Sequence, residues 1–222
     1  MVRMNSYGTR EEWLAARTSC IGGSDAGAIL GVCPWKTSDE LWEEKVGIRR
    51  PPNVSDSPLV QYGVDAEMHL RELFRLDYPQ YDVWYRENNI WTNTDIPFAH
   101  ASLDGWMSEK GTDEEAILGI LEIKTATISG AAQKEKWKGN NLPQNYYAQV
   151  LHYMMVTNAN FAILKAQLKY EIEGEEPFLY TKHYRIERKE VIDDILYLKQ
   201  KESDFYRYVQ NRERPNVVLP EI

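Results

Sequence analysis

Periodicity and element order point to an α/β chain of α+β character, a central mixed β-sheet flanked by helices. Helical spacing of apolar residues dominates the first part of the chain, to about residue 80. β-rich or alternating runs then fill the middle, at Asp82 to Thr92, Ile96 to Trp106 and Ala116 to Thr125. Helix and strand signals alternate after that, as they do when helices cover a sheet. Hydrophobic residues at 43% and charged residues at 27% of 222 are ordinary for a chain that buries a core. The length favours one domain over 1–222, with a helical part at about 1–80, a sheet-centred core at about 81–186 and a closing helix at about 189–208.

The first helix runs from Arg10 to Ala16, with Thr9 as its N-cap and Glu11 and Glu12 in the turn where carboxylates suit the helix dipole. Ile21-Gly22-Gly23-Ser24-Asp25 then leads into a small apolar stretch, Ala26 to Leu30, broken at Gly31 and Pro34. Thr37 or Ser38 opens a second helix through Val46, and Arg49 to Pro58, rich in Pro, Ser and Asn, reads as a mobile loop. A strong helix follows from about Leu59 to Leu76. Its Val60, Val64, Met68, Leu70, Leu73 and Phe74 are expected to form a core-facing stripe. The three middle runs, the second with a turn at Asp104-Gly105, read as strands of a meander. Pro143 to Thr157 is a long helix, Ala159 to Leu168 and Leu179 to Ile186 are strands, and Lys189 to Tyr208 is a charged helix.

Composition excludes several classes. No apolar run approaches the roughly 18 to 20 residues that cross a bilayer, and Met1 to Arg10 lacks the apolar stretch of a secretory signal, so a cytoplasmic protein is expected. Cys20 and Cys33 cannot build a disulfide framework or a four-thiolate cluster, and are expected to be buried free thiols. Twenty-six basic against thirty-four acidic residues give a net charge of −8, the wrong sign for a protein that coats nucleic acid indiscriminately. Any contact with DNA must therefore use local positive patches or a metal ion.

The informative residues are Leu103-Asp104-Gly105 followed by Glu122-Ile123-Lys124. Residues two apart on a strand share a face about 6.6 Å apart, so Glu122 and Lys124 project together while Leu121 and Ile123 face the core. If the two strands pair, Asp104 approaches Glu122. Two carboxylates meeting in this way make a hard-oxygen site for Mg²⁺ or Mn²⁺, with waters completing the octahedron. The adjacent lysine can orient or help deprotonate an attacking water, or balance charge on a phosphoryl centre. A Glu-x-Lys on a strand commonly lies on a solvated face. Here it interrupts the apolar run from Ile117 to Ile123, where two charges have little reason to stand unless used.

Other groups accompany it. Gln149 and Tyr153, four apart, share one face of an otherwise apolar helix. Glu67 lies in Gly63-Val64-Asp65-Ala66-Glu67, on the helix before the sheet. Gly22-Gly23-Ser24 precedes an apolar helix, so its N–H groups and the Ser24 hydroxyl can hold an anion, and Arg17 suits a bidentate phosphate contact. His100 and His152 have no His or Cys partner at zinc spacing and read as structural.

Taken in order, Trp13 through Arg17 to Ser24, Gly63 to Glu67, Ser102 to Gly105, Glu122 to Lys124 and Ala148-Gln149-Val150 resemble the YqaJ-type viral recombinase family. That family includes the phage lambda exonuclease and belongs to the PD-(D/E)XK nuclease superfamily. The resemblance spans Trp13 to Thr157, about two thirds of the chain. It implies a restriction-endonuclease-like PD-(D/E)XK core, with Asp104 and Glu122 binding Mg²⁺ (Mn²⁺ substituting), the Ile123 carbonyl assisting and Lys124 as the catalytic lysine. Glu67 would support a second metal, directly or through water. Arg17, Ser24, Ser102 and Gln149 resemble the group that grips a terminal 5′-phosphate.

The implied activity is 5′ to 3′ exonuclease digestion of one strand from the end of linear duplex DNA, in phage-type homologous recombination. Implied partners are double-stranded DNA ends, further copies of the chain in a trimeric ring, and a single-strand annealing protein, in the cytoplasm of a bacterial host. A PD-(D/E)XK endonuclease and an inactive DNA-end-binding accessory protein remain as alternatives. Leu103 stands where the superfamily has proline, and two cysteines cannot supply the iron–sulfur cluster of one of its branches. Lys134, Lys136 and Lys138 around Trp137, then Arg49 and Arg50, are the best local candidates for a positive DNA-facing lining.

Overall fold

A computed structural model of the chain describes residues 1–54, 56–171, 174 and 176–216. It begins with strand β1 (Val2–Ser6) and helices α1 (Arg10–Thr18), α2 (Gly23–Ile29), α3 (Ser38–Lys45) and α4 (Pro58–Asp77). Strands β2 (Tyr81–Trp84), β3 (Asn89–Asn93), β4 (His100–Ala101), β5 (Gly105–Glu109) and β6 (Gly119–Ile128) follow. Then come α5 (Ala131–Lys136), α6 (Gln144–Thr157), β7 (Phe161–Tyr170), β8 (Phe178–Glu187) and, after one 3₁₀ turn, α7 (Ile192–Asn211).

Local chemistry sets the helix starts. Thr9 and Glu12 close a capping box on α1, each side chain bonding the other's backbone N–H at 3.2 Å. Thr37 and Glu40 repeat the device on α3. Pro58 sits in the first turn of α4, where its missing N–H costs nothing. Asn158, left-handed at φ 59°, ends α6.

The strands make a five-stranded sheet in the order β2-β5-β6-β7-β8 and a three-stranded sheet β1-β3-β4. Among the named strands of the described residues, β6 and β7 alone pair in parallel, as expected where helices bridge two strands. The larger sheet is covered on both faces. Ile120, Ala162 and Leu164 face α6 with Val150, Leu151 and Met154. Leu121, Ile123 and Ile163 face the other way, onto Leu70 and Phe74 of α4. A third cluster joins α2, α3 and α7 through Ile29, Leu41, Trp42 and Phe205. The expected mixed sheet flanked by helices is the architecture found.

Four expectations need correction. The α4 stripe does not face the core: Leu70 and Phe74 are buried, but Val60, Val64, Met68 and Leu73 are exposed. The sheet packs its apolar side chains against the later part of α4. The earlier part meets it through Tyr62, which donates to Gln167 at 2.7 Å, and Gly63 beside Thr125, and borders the opening described below. Asp82 to Thr92 is two strands in different sheets, parted at Asn88 with φ 52°; alternation reports burial of one face but not which sheet covers it. The meander β2-β5-β6 is antiparallel as expected, but β3 and β4 leave it between β2 and β5. Cys20 and Cys33 are half-buried rather than buried. Strand β1 was not anticipated: it pairs with β3, and its only apolar residues, the alternating Val2 and Met4, are half-buried against the main core cluster. Among the described residues no helix is long and apolar enough to cross a membrane.

Candidate active site

The site grows from the pairing of β5 with β6. Gly105 lies opposite Leu121, and one further step of that register sets Asp104 across from Glu122. The Asp104 Oδ2 accepts the Ile123 N–H at 2.8 Å, so the carboxylate is turned onto β6. Lys124 Nζ lies 2.6 Å from Glu122 Oε1, on the same strand face as expected. The Gln149 amide nitrogen of α6 donates to Glu122 Oε1 at 2.8 Å and to the Tyr153 hydroxyl at 2.9 Å. Both N–H bonds of that amide are thereby engaged. Asp104, Glu122, Ile123, Lys124 and Gln149 therefore form one cluster.

Glu67 reaches the same place from α4. With Asp104, Ile123 and Lys124 it lines a cleft of about 320 Å³, roofed by Leu59, Val60 and Val64. Its carboxylate is taken by Arg71, one turn further along α4, and Arg71 Nε donates to the Asp104 carbonyl at 2.6 Å.

Burial governs the electrostatics. Desolvation, then the neighbouring Asp104 charge, push Glu122 up to about 8 and Glu67 up to about 7. Burial alone would lower Lys124, but the Glu122 and Asp104 carboxylates outweigh it and keep the ammonium charged. That leaves Lys124 suited to orienting a phosphoryl group and balancing its charge, not to accepting a proton.

Glu122 is 1% exposed, and its Oε2 has no hydrogen-bond partner. A buried carboxylate oxygen without a donor is costly unless something else satisfies it. A divalent cation fits this need: Asp104, Glu122 and the Ile123 carbonyl are hard oxygen donors at one spot. Among the described residues no three His, Cys, Asp or Glu side chains form a ready cage, so waters would complete the shell, as Mg²⁺ prefers.

The expected phosphate group is more dispersed. Among the described residues, no hydrogen bond or ion pair ties Arg17, Ser24 or Ser102 to the acidic cluster. Arg17 lies over the Trp13 ring, 4.1 Å from its centroid, and Trp13 donates its indole N–H to the Asn89 carbonyl at 3.2 Å. Ser24 is exposed in the first turn of α2. The Ser102 hydroxyl, two residues before Asp104, is buried without a partner. Gly22 and Gly23 tie this side to the cluster by packing. A methyl on Gly23 would strike the Tyr153 ring, and one on Gly22 would come within 3.1 Å of His100 Nε2.

Two supports were not anticipated. The buried Asn89 amide brackets Leu103, accepting its N–H and donating to its carbonyl, both at 2.9 Å, which fixes the backbone just before Asp104. Arg71 does the same from α4. Arg71, beside Leu70 on a helix with apolar periodicity, offered a signal, whereas Asn89 ends the polar run Arg86 to Asn89 and offered none. His152, expected to be structural, places Nδ1 2.8 Å from Glu202 and Nε2 2.8 Å from the His100 carbonyl. The His100 carbonyl can only accept, so Nε2 carries a proton, and Nδ1 shares one with Glu202, whose own pKa burial raises. Burial works against a charge on the ring, and Glu202 outweighs it to hold the pKa above its ordinary value. His100 is pushed down to about 3 by burial, then by His152 and Arg17, and is neutral. Lys138 pairs with Glu135 and Arg49 with Glu40, whereas Lys134, Lys136 and Arg50 make no ion pair among the described residues.

Known proteins resemble this chain in sequence and in fold. The model of the YqaJ-like viral recombinase domain matches residues 12–160. The uncharacterized protein YqaJ of Bacillus subtilis (strain 168) is 32% identical over 183 residues, 79% of this chain and 53% of that protein. The chain thus spans about half the length of that curated relative. Among solved structures, the alkaline exonuclease LHK-Exo from Laribacter hongkongensis is similar with a TM-score of 0.61 at 18% identity, over 91% of this chain and 94% of that one. LHK-Exo in complex with dAMP gives 0.58 at 16% identity, over 92% and 96%. At such identities these likenesses concern the fold. With two thirds of its length matched in sequence and its sheet and helices matched in space, the chain belongs to the YqaJ-like viral recombinase domain family.

Proposed function

We propose that this chain is a Mg²⁺-dependent deoxyribonuclease, a 5′ to 3′ exonuclease that degrades one strand of linear duplex DNA from its end in phage-type recombination. The observation that carries this reading is the meeting of Asp104, Glu122 and Lys124 around an unpartnered, buried carboxylate oxygen. Family membership supports it, as does the fold likeness to a protein described as an alkaline exonuclease.

In this reading Asp104, Glu122 and the Ile123 carbonyl hold Mg²⁺, or Mn²⁺ in its place. When bound, the ion makes an attacking water more acidic and offsets charge on the phosphoryl oxygens. Lys124, kept charged, orients the scissile phosphate and balances the charge that grows in the transition state. Glu67, held by Arg71, supports a second cation through water. Arg17, Ser24 and Ser102 receive the terminal 5′-phosphate, and Gln149 joins them by giving up one of its two present bonds. The proposal extends to a homotrimeric ring on the duplex and an annealing partner for the strand left behind.

The test is incubation with 5′-phosphorylated linear duplex and Mg²⁺, with covalently closed circles and Lys124→Ala alongside. Release of nucleotides from the linear duplex, intact circles and a loss of about 100-fold or more in Lys124→Ala are expected. Cut circles would make the protein an endonuclease, and equal release by wild type and variant would overturn the assignment.

A further inference from the structure

Arg71 is an unusual core residue. Its side chain is 6% exposed on α4, a costly place for a guanidinium unless its donors are used. They are used across three segments. Nη2 donates to Glu67 on the same helix, and Nε donates to the Asp104 carbonyl at the entrance to β5. The guanidinium carbon also stands 3.5 Å from the centroid of the Tyr85 ring, just after β2.

Asp104 is consequently held from three directions. Arg71 takes its carbonyl, the Ile123 N–H takes its carboxylate, and Asn89 brackets the residue before it. The first of these ties is also the only one of the three that reaches Glu67. Three carboxylates, Glu67, Asp104 and Glu122, crowd this region, and Arg71 and Lys124 are the cations bonded to them.

We propose that Arg71 is the positioning residue of the cation site: it fixes Asp104 through its backbone and Glu67 through its carboxylate, so that the acidic groups are set before an ion arrives. The proposal builds on the nuclease reading for its effect on hydrolysis, but its effect on ion binding stands independently of DNA. It depends on the planar fork of arginine. Lysine keeps the charge but cannot bridge two acceptors in that fixed geometry. Arg71→Lys should therefore lose the site while keeping the fold.

The experiment titrates Mn²⁺ and Ca²⁺ by calorimetry into wild type, Arg71→Lys and Tyr85→Leu, with melting temperatures in EDTA and kcat and KM on linear duplex. Arg71→Lys is expected to bind Mn²⁺ about tenfold more weakly, in the range seen for groups that orient metal ligands. Its melting temperature in EDTA should stay near that of the wild type, and kcat should fall more than KM rises. Tyr85→Leu removes only the ring against which the planar guanidinium rests. If Arg71→Lys fails to fold, a loss of Mn²⁺ affinity in Tyr85→Leu supports the role, and unchanged affinity overturns it. A folded Arg71→Lys with wild-type affinity also overturns it, whatever the hydrolysis. Normal ion binding by wild type without any hydrolysis would refute the nuclease reading and leave the role of Arg71 standing, whereas no ion binding by wild type refutes both.

Discussion

Glu122 concentrates the chemistry in one side chain. It is buried, bonded on one oxygen and bare on the other, and its pKa stands at about 8. A carboxyl raised above its unfolded value near 4.5 contributes stability below that value and loses it as the pH climbs through 8. Glu67, at about 7, acts in the same sense. The ion-free protein should thus melt at a falling temperature between pH 7.5 and 8.5, above the range where the unfolded His100 imidazole, ordinarily near 6.5, still takes up a proton that the folded one does not. Mg²⁺ should raise the melting temperature more at pH 8.5 than at pH 6.5, because binding needs the ionised carboxylate. Scanning calorimetry at the two pH values, with EDTA or Mg²⁺, checks this; an equal Mg²⁺ effect at both would refute it. Glu122→Gln should remove the Mg²⁺ effect and melt higher than wild type in EDTA at pH 8.5, since a buried charge without full compensation is lost.

Elements were legible where one stretch of chain carries its own reasons. The caps Thr9 and Thr37 and the long α6 follow from local spacing and lie where expected, and the apolar β6 is found as Gly119–Ile128, three residues beyond the expected Ala116 to Thr125. The exposed side of α4 was not legible, because spacing counts apolar residues on a helix without knowing where a cleft opens between it and the sheet. The same holds for β3, which looks like a continuation of β2 and belongs to another sheet. His152 shows what joins elements that sequence cannot join: one imidazole ring on α6 binds Glu202 of α7 and the carbonyl of His100 in β4. Replacing it strands a buried carboxylate. His152→Phe should cost about 3 to 5 kcal/mol in urea unfolding, as breaking a buried pair does. A cost below 1 kcal/mol would show that α7 is held by its apolar contacts alone.

For the molecule as a whole, the acidic balance of −8 and the proposed duplex substrate pull in opposite directions. Local charge must resolve the conflict. Lys134 and Lys136 project from α5, and Trp137, the residue that follows at the end of that helix, is buried against Tyr146 and Tyr184. If these lysines meet phosphates, Lys134→Glu with Lys136→Glu should weaken duplex binding and lower the salt slope by about one per lost contact. Unchanged binding would move the positive lining elsewhere. A ring should have a solution mass of about three times 25.9 kDa by light scattering, as closed cyclic symmetry requires, and a monomer mass would refute the ring.

The residue types that do chemistry, their order along the chain and the mixed α and β character could all be read from one string of letters. Strand spacing aims Glu122 and Lys124 together, and the order of short motifs carries the family. Convergence could not be read. Strand register put Asp104 opposite Glu122, and long-range bonds from Arg71 and Asn89 held it there. Spacing along a chain reports only its neighbours, whereas burial and the bonds it enforces depend on which distant segments pack together.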